Sequence, residues 1–382
     1  MTKYLFGDIV KEVKNKVDRD NNPYDYFIAG DHMDTDELHL LRRGVFAGND
    51  VGPAFIRIFK PGQVLYGSRR TYLRKVAVAD FEGVTANTTF VLESKDEKIL
   101  LQRLLPFIMQ ADRFVQHSIK RSKGSTNPYV LFSDLADYEV ELPDIDKQCE
   151  LADLLWAMDD VRMSYQKLIS ATDALVKSQF MEQFGNVKNK EAIEAVSVNG
   201  PQNGFYRKAD GSIPNTYIVK MKELFANECI ADETSFDMVN MTPTEQKKFA
   251  LTSADLLFGR RSLVVEGAGK CRRVGDIQLP LAFESSLLRI TLDTKKVLPR
   301  YVQAWFDTDE GRQAIMSIRA VTTISGIKGS DLKKVVIPVP TMEQQERFLS
   351  FVRQSDKSKF ELEQALSELN ATYKRIIAEN LG

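Results

Sequence analysis

The chain repeats itself, and the repeat limits what it can fold into. Ser133–Gly185 and Ser330–Gly382 align without a gap at a constant offset of 197 residues. Ser133-Asp134-Leu135 matches Ser330-Asp331-Leu332, Pro143 matches Pro340, Gln148 matches Gln345, Asp159 matches Asp356 and Gly185 matches Gly382. A repeat of that length means one module used twice. Each copy reads as a short strand, a proline turn and a long helix. Val140 and Leu142 precede Pro143; Val335, Ile337 and Val339 precede Pro340. Short alternating apolar runs ended by proline are strand signals. Acidic residues follow (Asp144, Asp146; Glu343, Glu346) and suit a helix N-terminus.

The helices carry a heptad seam. In the first, Leu151, Leu154, Met158, Val161, Tyr165, Leu168, Thr172 and Leu175 alternate three and four apart. In the second, Phe348, Val352, Ser355, Lys359, Leu362, Leu366, Leu369, Tyr373 and Ile376 do so. A helix of this length, roughly 58 Å at ~1.5 Å per residue, needs a partner for its narrow seam, and the other copy is the obvious one. Ser355 and Lys359 are polar seam positions of the kind that fix register.

The rest of the chain reads as two α+β blocks. The first has strands at Lys75–Asp80 and Thr89–Leu92, a helix over Ile99–Ile119 and a polar loop at Arg121–Asn127. The second has Asp255–Arg261 in place of Gln63–Arg69, a helix over Pro299–Ile318, and Thr322–Gly329 in place of the polar loop. Gly185–Gly211 reads as a linker. The predicted boundaries are 1–143 for the first globular block, 144–185 for the first spacer helix, 186–340 for the second block and 341–382 for the second helix.

Three dispersed cysteines and three histidines argue against a zinc site or disulfide framework and fit a reducing cytoplasm. No run approaches a membrane span, and the N-terminus has no signal-peptide pattern. The net charge is −1, so nucleic-acid binding requires segregated charge. Segregation is present. Asp144–Asp160 holds six acids and one lysine; Arg69–Lys75 holds four bases and no acid; Leu257–Arg273 holds five bases and one acid.

This order of variable block, strand-Pro-helix, variable block, strand-Pro-helix resembles the specificity subunit of type I restriction–modification systems. Phe59–Phe90, Lys123–Gln148 and Thr323–Gln345 carry the resemblance, with Leu142-Pro143 before Gln148 and Val339-Pro340 before Gln344 and Gln345. It covers essentially the whole chain, although Thr-Ile-Ser-Gly replaces the Gly-Ser-Thr loop in the second half. The resemblance implies an α+β protein with two target-recognition domains separated by two long antiparallel, coiled-coil-like helices in a pseudo-two-fold repeat. It implies a non-catalytic subunit without cofactor, reading a bipartite double-stranded DNA target in the cytoplasm. Its partners would be two adenine methyltransferase subunits and motor-nuclease subunits.

Affinity would come from Lys and Arg on phosphates, and sequence choice from side chains at base edges. The candidates in the first block are Arg69, Arg70, Lys75, Lys120, Arg121, Lys123, Ser125, Thr126 and Asn127. In the second they are Arg260, Arg261, Lys270, Arg272, Arg273, Thr322, Thr323, Ser325 and Lys328. Val265–Lys270 has a phosphate-loop flavour but lacks the first glycine and the following Ser or Thr. Asn127-Pro128-Tyr129 is a turn, short of the Asn-Pro-Pro-Tyr motif of adenine methyltransferases. A stand-alone DNA methyltransferase therefore lacks its motifs. A coiled-coil scaffold without a DNA role is the other alternative, and predicts weak, sequence-indifferent duplex binding.

Overall fold

Pro143 and Pro340 each close a strand and open a 40-residue helix, Ile145–Phe184 and Met342–Leu381. The starts and ends lie at the repeat offset of 197. Both N-termini are capped: Asp144 Oδ1 accepts from Lys147 N (2.9 Å), and Thr341 Oγ1 accepts from Gln344 N (3.3 Å). The computed structural model describes all residues except 1, 20, 50, 207–212, 233, 322 and 382. No helix among the described residues is long and apolar enough to cross a membrane.

The chain divides into two units, Met1–Gln166 with Glu363–Gly382, and Lys167–Leu362. Each takes a piece of both long helices. In the first unit, Val64–Gly67 lies between Thr89–Ser94 and Val76–Val78, all antiparallel, with Val64 opposite Leu92. A second four-stranded sheet holds Phe55–Phe59 and Gly83–Ala86. Thr2–Leu5 pairs with Glu139–Leu142, whose alternating burial turns Val140 and Leu142 inward. The core gathers Phe6, Tyr66, Phe107 and Phe114 with Leu151 and Leu155 of the first long helix and Tyr373, Ile377 and Leu381 of the second.

The second unit repeats this plan. Asp255–Gly259, buried along its whole length, pairs with Leu287–Leu292 and Cys271–Val274. Lys190–Ala192 pairs with Val336–Pro338. Tyr301 and Trp305 pack with Phe180, Phe184 and Phe348. Within this unit the helices run antiparallel: Phe180 meets Phe348 at 5.3 Å between ring centroids, and Lys359 reaches Asp173 at 2.9 Å.

A buried glutamine locks each long helix to its own unit. Gln148 Oε1 accepts from Leu101 N (3.0 Å), while its Nε2 donates to Ile99 O (2.9 Å) and Pro143 O (3.0 Å). Gln345 does the same with Leu298 N (2.9 Å), Lys296 O (2.9 Å) and Pro340 O (3.1 Å). Every partner lies 197 residues from its counterpart. Only an amide of this length can accept one backbone bond and donate two at once.

Three sequence readings change. The helices expected over Ile99–Ile119 and Pro299–Ile318 both break, at Ala111 and at Thr308, which are again 197 apart. Thr308 Oγ1 caps the restart by accepting from Gly311 N (3.2 Å). The linker expected over Gly185–Gly211 contains the strands Lys190–Ala192 and Ser197–Asn203. The seam of the second long helix is buried or half-buried as read, but of the first only the alternate members Leu151, Met158, Tyr165 and Thr172 are. Leu154, Val161, Leu168 and Leu175 stand 44–51% exposed. The inner face instead carries Leu151, Leu155, Asp159, Arg162, Val176, Phe180 and Phe184. Asp159 and Arg162 make that stripe look polar, yet they are buried in ion pairs with His39 and Glu37.

Candidate nucleic-acid interface

Each unit builds the same junction between a strand end and a loop. In the first, the strand Val64–Gly67 runs into Ser68-Arg69-Arg70. Val130 N donates to Ser68 O (3.0 Å) and Arg70 N to Pro128 O (2.6 Å), so the 121–130 loop is strapped to the strand end. Lys123 and Tyr129 exchange backbone bonds of 2.8 and 2.9 Å across the loop. Gly124 (φ +87°) and Arg70 (φ +50°) take left-handed conformations at the two tips. In the second unit, Asp255–Gly259 runs into Arg260-Arg261-Ser262. Ile327 N donates to Arg260 O (3.0 Å), and Arg261 pairs opposite Gly326.

The first junction brings together most of its predicted residues. Arg69, Arg70, Lys120, Ser125, Thr126 and Asn127 are exposed. Among the described residues, the Arg69, Arg70 and Lys120 side chains have no ion pair or hydrogen bond. Arg121 is held by Asp137, and Lys123 by Asp134 at 2.8 Å. Lys75 turns away to Gly30 O. Asn127-Pro128-Tyr129 forms the loop's return, with Pro128 O accepting from Arg70.

The second junction gathers fewer. Arg261, Thr323 and Lys328 are exposed beside it, and Ser325 is buried in the strand Ser325–Ile327. Arg260 is half-buried and donates to Ser285 O (3.2 Å); burial, then the neighbouring Arg261, lowers its pKa. Thr322 lies outside the described residues. Lys270, Arg272 and Arg273 lie on the neighbouring strand segment, Lys270 O accepting from Gly259 N (3.0 Å), but the side chains of Lys270 and Arg272 turn into a cavity beside Glu228 and Asp307. Arg272 Nε donates to Asn227 O (2.7 Å) and its Nη1 to Cys271 O (2.8 Å), and the Lys270 ammonium lies 5.1 Å from the Phe225 ring. A count of basic residues along a strand cannot tell which face each side chain takes.

Sequence reasoning overlooked the apolar members of both junctions. Tyr72 (53% exposed) and Tyr129 (40%) flank the arginines of the first. Leu263 (80%), Val264, Val321 and Ile324 surround those of the second. Exposed aromatics beside arginines were the available signal, because nucleic-acid faces interleave basic and stacking groups.

Among the described residues, Glu37, His39 and Asp159 alone bring three potential metal-ligand atoms within 4.8 Å of one another. Arg162 already supplies a cation there, 3.3 Å from Asp159 Oδ1 and 3.5 Å from Glu37 Oε2. His39 Nε2 lies 2.8 Å from Asp159 Oδ2, and that hydrogen bond raises the imidazole pKa above 6.5. The cluster is an ion-pair network that ties the first unit to its long helix.

Residues 14–171 match the family model for the type I restriction modification DNA specificity domain. The chain is similar to the EcoKI specificity subunit of Escherichia coli K12, at 26% identity over 184 residues, 47% of this chain and 39% of that one. It is 22% identical over 256 residues to the HindI specificity subunit of Haemophilus influenzae, covering 65% and 51%. The matched stretches thus span about two fifths and one half of those relatives. In fold, the chain is similar to a chain from a structural study of complex assembly in the type I R-M system (TM-score 0.57, 14% identity, 99% and 97% covered). It is also similar to a type I restriction-modification S subunit from M. genitalium (TM-score 0.54, 11% identity, 100% and 96% covered).

Proposed function

We propose that this chain, which belongs to the family of type I restriction–modification specificity subunits, is the non-catalytic DNA-reading subunit of such a complex, with each unit reading one half of a bipartite duplex target. The observation that carries the reading is the duplicated junction. Two strand ends, each followed by arginines, hold two loops through the equivalent bonds Val130 N to Ser68 O and Ile327 N to Arg260 O, both 3.0 Å. Arg69, Arg70 and Arg261, without ion pairs among the described residues, suit phosphate neutralisation and guanine recognition. The half-sites need not be alike, since the first junction offers Ser125, Thr126 and Asn127 where the second offers Thr323 and apolar side chains.

The complex would act in the cytoplasm. Its partners would be two methyltransferase subunits and the motor-nuclease subunits. The exposed heptad Leu154, Val161, Leu168 and Leu175 supports docking of a partner helix, because an apolar stripe of that period is the face a second helix covers. The test is Arg69→Ala with Arg70→Ala, assayed for duplex binding across salt concentrations with the methyltransferase partner present. Lower affinity and a shallower salt slope are expected; unchanged values remove this loop from the DNA.

A further inference from the structure

The side chains of Lys270 and Arg272 line a cavity of about 220 Å³ inside the second unit. Its walls carry six cations: Lys177, Lys270, Arg272, Arg300, Arg312 and Lys359. Four carboxylates face them, Asp173, Glu228, Asp307 and Asp356; Arg312 is exposed and pairs with Asp309 outside the lining (3.8 Å), so one positive charge is left in excess. The pairing is uneven. Lys359 reaches Asp173 (2.9 Å) and Glu228 (2.6 Å), and Arg300 reaches Asp356 (3.0 Å). Lys177 and Lys270 have no carboxylate within ion-pair distance among the described residues, and Arg300 Nε is buried without a hydrogen-bond partner. Lys270 is fixed in place: its carbonyl accepts from Gly259 N (3.0 Å), and Gly269 before it (φ +86°) bonds back to Gly259 O (2.7 Å). Burial first, then the Arg272 charge, lowers the pKa of the Lys270 ammonium. Lys177 and Lys270 are half-buried, and partly desolvated cations without a carboxylate partner favour a bound counter-anion.

The first unit provides a comparison. Its own cavity, of about 250 Å³, sets Arg74, Arg162 and Lys374 against Asp36, Glu37 and Asp112, three against three. Arg74 bonds both Asp36 (2.6 Å) and Asp112 (2.7 Å). At the repeat offset, Arg162 corresponds to Lys359 and Lys374 to Lys177, so the two cavities are counterparts with different charge balance.

We propose that the cavity of the second unit binds a small phosphate-class anion: orthophosphate, pyrophosphate or the phosphate tail of a nucleotide. Lys177 and Lys270 supply the unpaired ammonium groups, and Arg300 Nε a further donor. Such charge-assisted bonds are the strong class of hydrogen bond.

The test is calorimetric titration of the full chain with orthophosphate, pyrophosphate and ATP, each at fixed ionic strength set with chloride. Saturable binding of at least one is expected, and their order of affinity tells a free anion from a nucleotide. Lys177→Ala with Lys270→Ala should weaken it by about tenfold or more. Lys374→Ala, in the balanced cavity, should leave it unchanged. If the double variant does not fold, Lys270→Gln alone should weaken binding, with circular dichroism verifying its fold. Absence of saturable binding by the unaltered chain overturns the proposal, as does a folded Lys177/Lys270 variant that binds as well. An altered DNA salt slope in that variant, with anion binding intact, would return these lysines to the DNA and also overturn it.

Discussion

At the residue scale, the side chains that matter are those whose charge is left over. Among the described residues Arg69 and Arg70 make no ion pair, whereas Arg121 and Lys123 are committed to Asp137 and Asp134. Each phosphate contact contributes about −0.9 to the slope of log K against log salt. Removing Arg69 and Arg70 together should therefore flatten the slope by about 2. Arg121→Ala should change it less, and the same titration compares them. His39 is different in kind. Its pKa is raised by the Asp159 hydrogen bond, with Glu37 and Asp160 adding to the effect. The stabilisation is fully present below the unfolded value near 6.5 and is lost as pH rises through the higher folded value. Thermal unfolding of the chain and of His39→Gln between about pH 5.5 and 8.5 should show the wild-type advantage shrinking with pH. A constant gap would mean that the His39 charge contributes nothing.

At the scale of elements, the two glutamine clamps explain why the sequence returns to Gln a few residues beyond each proline. Gln148→Ala strips partners from Leu101 N and from the carbonyls of Ile99 and Pro143, at a cost of about 1–3 kcal/mol. Gln148→Glu should be at least as destabilising, because a carboxylate cannot donate to two carbonyls. Denaturant unfolding measures both; full stability in Gln148→Glu would refute the donor role. Much of this architecture was legible. The repeat gave the pair of helices, their matching ends and the strand before each proline, since proline, alternation and capping act locally. Two features were not legible. Ala111 ends its helix through extended backbone that no local breaker announces, whereas Thr308 with Asp309 and Glu310 after it is a local capping signal that the apolar spacing of the expected helix ran across. The first helix hides its inner face, because Asp159 and Arg162 find partners only after the chain has folded, while the exposed Leu154, Val161, Leu168 and Leu175 imitate a core stripe. Leu154→Glu with Leu168→Glu should leave the unfolding midpoint nearly unchanged, as surface changes do. The same variant should fail to co-purify with a co-expressed methyltransferase subunit; normal co-purification would move the docking face elsewhere.

At the scale of the whole molecule, one module used twice yields two junctions built to the same backbone plan and furnished with different side chains. That combination suits a reader of two unlike half-sites, and it separates reading from chemistry, which would belong to partner subunits. The direct measurement is genome-wide mapping of N6-methyladenine in cells with and without the gene for this chain, a candidate methyltransferase subunit being expressed in both. The account predicts a motif of two specified half-sites around a fixed unspecified gap that disappears when the gene is removed. An unchanged methylation pattern, or a single uninterrupted motif, would contradict it.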